Sequence, residues 1–286
     1  MDIPNKLPTT AFAFALVVLA PNGQAAKPAE ELGTFGDSIH INNKWAPMRP
    51  GTQWIYEGIS VEQDGKNVPH RVIVSITDFI KVIGGVRTVV SYDVDYTDGE
   101  LVEAELAFYA QDDLGNVWQF GEYPEEYADG KVIKAPAWIH GLQGSRAGIM
   151  MPADPRLWTP GFAQGWGPSI GWKDRGAIYQ TGQKVSVPAG AFDDVLVVKE
   201  NAAGEKDAEQ LKYYAAGIGN VRTGWVGTGA KVTEKLELVE IRQLDPKALA
   251  EIDATALKLE KSAYQRSKQV YGKTKPAFSD GKARTQ

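Results

Sequence analysis

From Gly51 to Leu244 the chain consists of short runs of β-branched and aromatic residues, broken at close intervals by glycine and aspartate. No helical period of ten residues interrupts them. Residues 53–60 alternate so that Trp54 and Tyr56 share a face, Asp64-Gly65 marks a turn, and residues 70–77 set Val72, Val74 and Ile76 on one side. Gly84-Gly85 is the next turn and residues 86–96 the next strand. Strands of this kind, separated by turn signals at short spacing, spell an antiparallel meander. The expected fold is therefore all-β, a half-barrel or barrel, spanning residues 51–244. There is no α/β alternation, no glycine-rich phosphate loop and no repeat at a fixed period, which argues against the βαβ nucleotide folds.

The turn at Asp98-Gly99 raises a question of register. A two-residue loop pairs Asp95 with Val102 and sets carboxylates against apolar neighbours on both faces. A three-residue loop through Thr97 pairs Val94 with Val102 and Tyr92 with Ala104. It gathers Val90, Tyr92, Val94, Val102, Ala104, Leu106 and Phe108 on one face, and Asp93, Asp95, Glu103 and Glu105 on the other. A slip of one residue would exchange the faces, so the second register is expected. The acidic face reads as a solvated outer surface rather than a site for a hard cation.

Further strands are expected at 116–120, 131–134, 184–187, 195–200, 210–215, 219–226 and 231–244. At residue 245 the period changes to that of a helix. Ala248, Leu249, Ile252, Ala256, Leu257, Leu259 and Ala263 recur at helical spacing, Asp245 is placed to cap, and Gly272 stops the run. The expected organisation is a targeting segment over 1–26, an irregular lead-in over 27–50, the β domain, a C-terminal helix within 245–272, and a disordered tail over 273–286.

The first 26 residues read as a secretory signal: Lys6, then the apolar run 11–20 (AFAFALVVLA), then Gly23-Gln24-Ala25 with cleavage near Ala25-Ala26. Ten apolar residues reach only about 15 Å as a helix, half of what a bilayer requires, and no later run is longer. A periplasmic or extracellular location follows. The net charge of −5 argues against a nucleic-acid partner. With no cysteine the chain has no disulfide, thiolate or lipidated cysteine, and its three histidines lack zinc-ligand spacing. No metal or other cofactor is expected.

The stretch 109–122, YAQDDLGNVWQFGE, resembles a motif of a family of secreted bacterial proteins of uncharacterised function. The resemblance continues in order through Pro50-Gly51-Thr52, Asp98-Gly99-Glu100, residues 148–153 (GIMMPA), 185–190 and 212–219, and so covers roughly residues 47–240. The last segment, Tyr213-Tyr214-Ala215-x-Gly217-x-Gly219, is also similar to strands of half-barrel envelope proteins of the LolA/LolB type. The resemblance implies a β-rich secreted domain and no particular activity. Where the family carries acidic pairs, this chain reads Gln164-Gly165 and Lys173-Asp174-Arg175.

The segment 138–179 is the anomaly. It holds Trp138, Trp158, Trp166 and Trp172, four of the eight tryptophans, with Tyr179 and many glycines and prolines. Rigid aromatic faces on a long irregular connection point to an aromatic-lined ligand site or lid, or else to a plug at one end of the sheet. The expected function is binding of a small organic ligand, aromatic or sugar-like, by Trp118, Trp138, Arg146, Trp158, Trp166, Trp172 and Tyr179. One alternative is a cofactor-free lyase or hydrolase using His140, Tyr213 or Tyr214, and Glu122 as acid and base. A third is an envelope structural or lipoprotein-handling factor.

Overall fold

The structure, a computed structural model, describes residues 31–201, 207–230 and 232–279. The expected signal segment and the end of the tail lie outside these residues.

Five long strands open the domain: β1 (Thr52–Val61), β2 (Asn67–Ile83), β3 (Val86–Thr97), β4 (Glu100–Gln111) and β5 (Val117–Ala128). Five short ones follow: β6 (Lys131–Lys134), β7 (Trp138–Ile139), β8 (Arg146–Met151), β9 (Phe162–Ala163) and β10 (Gly165–Trp166). A second long set comprises β11 (Arg175–Val187), β12 (Gly190–Asn201), β13 (Ala208–Ala215), β14 (Gly219–Gly227) and β15 (Thr233–Gln243). They form one open sheet in the order β10-β8-β5-β4-β3-β2-β1-β15-β14-β13-β12-β11-β9, with β6 and β7 also on β5. Every pairing is antiparallel; β1 meets the last strand, β15, and this joins the two halves. The fold is thus an all-β half-barrel with one C-terminal helix, as the alternation requires.

The sheet is strongly curled. β3 and β13 stand five positions apart, a distance of about 24 Å if the sheet were flat, yet Asp93 of β3 is electrostatically coupled to Lys212 of β13. The Tyr56 hydroxyl donates to the Asn220 carbonyl at 2.9 Å, spanning β15. The two edges, β9 and β10, are separated in the chain by Gln164 alone, so one five-residue segment lies along both ends of the sheet.

Curvature gives the sheet two differently used faces. On the convex side Val90, Tyr92, Val94, Ala104, Leu106 and Phe108 pack under Ala256, Leu259 and Ala263 of the helix α1 (Pro246–Arg266). On the concave side Trp54, Ile76, Val89, Val117, Met151, Leu196, Tyr214 and Leu238 close one end of the trough. Irregular residues 31–50 add Ile41 and Trp45 to that closed end.

The hairpin at Asp98-Gly99 corrects the expected register. Thr97 pairs with Glu100, a two-residue loop with Asp98 and Gly99 both at positive φ (52° and 81°). The register then shifts between Asp95 and Tyr96, so that Val94 faces Ala104 and Asp93 faces Glu105. The bulge absorbs one residue and restores the apolar and acidic faces. Alternation therefore assigned the faces correctly while the pairing moved by two. The acidic face is not the outer one: the apolar face is covered by α1, and Asp93, Asp95, Glu103 and Glu105 look into the trough.

Helix α1 begins as expected, Asp245 accepting from Lys247 N and Ala248 N. It stops at Arg266 because Tyr271 turns inward, edge-on to Tyr123 at 5.3 Å and Tyr264 at 5.1 Å. The expected tail is structured through Ser279: Ile80 and Phe278 exchange backbone hydrogen bonds, at 2.8 and 2.9 Å. Lys81, fully buried on β2, holds this return. Its ammonium donates to Glu260 Oε1 (2.8 Å), Tyr264 OH (3.2 Å) and Lys275 O (2.8 Å).

Candidate functional site

The inner faces of β3, β4 and β5 carry Asp93, Asp95, Glu103, Glu105 and Glu122, because positions two apart on a strand share a face and Asp93↔Glu105, Asp95↔Glu103 and Ala107↔Glu122 are cross-strand partners. These side chains are neither in bulk water nor sealed from it. Asp95, for example, is 21% exposed, at the floor of a trough crowded by protein atoms. Burial pushes every one of them above the ordinary carboxylate range, and for Asp95, Glu103 and Glu105 the charges of neighbouring carboxylates add to it. Asp93 rises to about 7 through burial, opposed by the Ser91 hydroxyl, which donates to it at 2.5 Å, and by the Ser75 backbone N–H. Glu103 rises to about 8 through burial and the charges of Glu122, Glu126 and Glu234. Glu122 rises to about 7, again through burial, with Asp174 adding to the effect. Asp95 and Glu105 are also raised well above normal.

The opposite wall supplies one lysine. Burial alone would discharge Lys212, but the Glu200 carboxylate at 2.7 Å overrides it and holds the ammonium charged. That lysine is therefore already committed. Glu200 also accepts from Gln164 at 2.7 Å, which ties β12 to the edge segment. Higher in the trough the His70 ring donates or accepts at Thr97 through Nδ1 (3.0 Å). Its Nε2 stands 3.9 Å from Asp95 and 3.8 Å from Glu234 without bonding either. Phenols of Tyr56, Tyr109 and Tyr214 sit among these groups, and burial raises each.

The aromatic segment divides. Trp138 pairs across β7 with Glu122, is fully buried, and stacks on Trp172 at 6.1 Å with the planes 18° apart. Its indole N–H faces the Glu122 carboxylate and favours the charged form, without closing to hydrogen-bond distance. Gly165 and Gly167 allow the stack, since a Cβ at either would lie 2.8 Å from a Trp138 carbon. Trp166 is half-buried on β10. Trp158 is 76% exposed, beneath the Arg156 guanidinium, and Tyr179 is exposed beneath Lys199. Of the four tryptophans only Trp138 and Trp172 come together. Trp118 lies under the convex layer, its indole N–H donating to Asp112 at 2.7 Å.

The acid–base set proposed from sequence is not assembled. His140 packs against Phe120 of the convex layer, ring to ring at 5.5 Å, while Tyr214 belongs to the concave core. Tyr213 points away from its neighbour and lies under the Arg222 guanidinium. Of that set Glu122 and Tyr214 are in the trough, and His140 and Tyr213 are not. Arg146 is exposed beside His140. The trough's own carboxylates were legible as a cluster in the sequence, but alternation does not say which face turns inward.

No protein-family model and no curated protein matches the chain. Two solved structures are similar to it. One, from Bacteroides fragilis, is described as an exported protein with a YmcC-like fold (13% identity, TM-score 0.39, covering 70% of this chain and 99% of that one). The other, from Parabacteroides distasonis, is described as a lipoprotein (11% identity, TM-score 0.36, with the same coverage of each chain). Among the described residues no helix is long and apolar enough to cross a membrane.

Proposed function

We propose that this chain is an exported binding protein whose trough takes a small organic cation, an amine on an aromatic or otherwise apolar body. One observation carries the proposal: five inner-face carboxylates are held above their normal range, and the nearest lysine is already paired with Glu200. An ammonium group seated among them would supply the missing countercharge, and in this partly desolvated site its attraction exceeds that of an exposed pair. The apolar end of the trough and the Trp138–Trp172 stack offer surfaces for the body of the ligand. Among the described residues no three histidine or acidic side chains converge at metal-ligand spacing, which favours an extended organic cation over a bare ion. Export rests on the apolar run 11–20 and the small residues after it.

The test is calorimetric titration with tyramine and with spermidine, at pH 6 and pH 8, in two buffers of different ionisation enthalpy. The cation prefers ionised carboxylates, so binding should release protons and strengthen about tenfold or more as pH rises through about 7 to 8. Absence of binding by either amine at pH 8, or binding with no proton release, would remove the proposal.

A further inference from the structure

A cavity lies on the other side of the β5 wall from the trough and has the opposite electrostatic character. It measures about 380 Å³ and is lined by Leu32, His140, Gly141, Gly144, Ser145 and Arg146. The loop between β7 and β8 builds it. Leu142 N donates to Ile139 O, Ser145 N to Leu142 O and Gly141 N to Ser145 O, folding the chain into a tight double turn. Gly141 and Gly144 have φ of 83° and 77°, and a Cβ on Gly141 would meet nothing within 4 Å, so the mouth of the turn stays open.

Three residues that carry donor groups, His140, Ser145 and Arg146, line this hollow. Ala147 N–H donates to His140 Nδ1 at 2.9 Å, which leaves the neutral ring's proton on Nε2. Burial and the adjacent Arg146 charge lower the pKa of His140, so the ring is neutral and donates at pH 7. Ser145 is 3% exposed, and its hydroxyl has no hydrogen-bond partner among the described residues. A buried hydroxyl in that state has lost its water without compensation and favours a ligand oxygen. Among the described residues Arg146 forms no ion pair and no carboxylate lines the cavity. Leu32 contributes an apolar wall.

We infer that this cavity binds a small oxyanion, with the Arg146 guanidinium supplying the charge, the Ser145 hydroxyl and His140 Nε2–H donating to its oxygens, and Leu32 covering an organic body. The site is independent of the trough, and its anion would be repelled by the trough's carboxylates. It gives His140 and Arg146, which cannot reach the trough tyrosines, a joint role.

The probes are acetate, benzoate and inorganic phosphate, titrated into the full chain at pH 7.5 while the His140 ring resonances are followed by NMR; only His40 and His70 compete for assignment. A saturable shift of His140 with at least one probe is expected. It should weaken about tenfold or more in Arg146→Gln and about three- to tenfold in Ser145→Ala, as loss of a charged and a neutral donor implies. Unchanged far-ultraviolet circular dichroism and an unchanged urea midpoint in ligand-free Arg146→Gln would show that the fold is intact. Binding by benzoate and acetate alone identifies an organic acid, and binding by all three a general oxyanion site. No saturable shift up to about 50 mM of any probe, weaker than any specific site of this kind, overturns the inference. So does an affinity unchanged in Arg146→Gln.

Discussion

The stability of Asp93→Asn relative to the wild type should be higher at pH 8 than at pH 5. Asp93 has an ordinary value of 3.8 and a folded-state value of about 7. Between those values the folded state binds more protons than the unfolded state, so stability falls as pH rises from about 4 to 7. Linkage puts the cost of this one group at about 2 kcal/mol at pH 5 and about 4 kcal/mol at pH 8, a difference of about 2 kcal/mol. Because water reaches the trough, we halve that to about 1 kcal/mol. Asparagine does not ionise and so removes the pH-dependent part. It keeps an oxygen for the Ser91 hydroxyl, but sets its own N–H₂ toward the Ser75 N–H. That clash costs about 1–3 kcal/mol at every pH and cancels from the comparison. Asp95, Glu103 and Glu105 all feel Asp93, so its neutralisation relieves them in the same direction. The assay is urea unfolding of both proteins at pH 5 and pH 8, followed by tryptophan fluorescence. If the mutant-minus-wild-type difference is the same at the two pH values, or moves against the mutant at pH 8, the carboxylates are not held protonated by their surroundings. The electrostatic basis of the trough proposal then goes with them.

Lys81→Met should cost about 3–5 kcal/mol, because it leaves the Glu260 carboxylate buried with only Tyr271 OH and Ala277 N to satisfy it. The double variant with Glu260→Leu should recover much of that loss; strictly additive losses in denaturation would show that the two side chains do not act as a pair. Gly148→Ala should unseat the edge segment, since its Cβ would lie 2.4 Å from backbone atoms of Ala163, Gln164 and Gly165. Loss of the paired-indole signal of Trp138 and Trp172 in near-ultraviolet circular dichroism is expected, and an unchanged spectrum would mean that the segment closes elsewhere.

Much of this architecture was legible in the residues. Period-two alternation sorted Val90, Tyr92 and Val94 from Asp93 and Asp95, Asp98-Gly99 marked its turn, and Asp245 the helix start. Each of these is a local property, settled by backbone sterics and by hydrogen bonds within a few residues. The bulge that shifted the β3–β4 pairing was not legible, because either pairing keeps the two faces apart. Nor was the structured return at Phe278, whose hydrogen bonds are made with Ile80 some two hundred residues away.

The sequence by itself determined that this chain builds an antiparallel sheet with one apolar and one acidic face across β3 and β4, closed off by an amphipathic helix. Only the tertiary structure decided which face became the interior. Helix α1 covers the apolar side, and the curl of the sheet, joined β1 to β15, turns the carboxylates toward the opposite wall. Alternation is blind to that choice, since it records that two faces differ and not what each will be packed against.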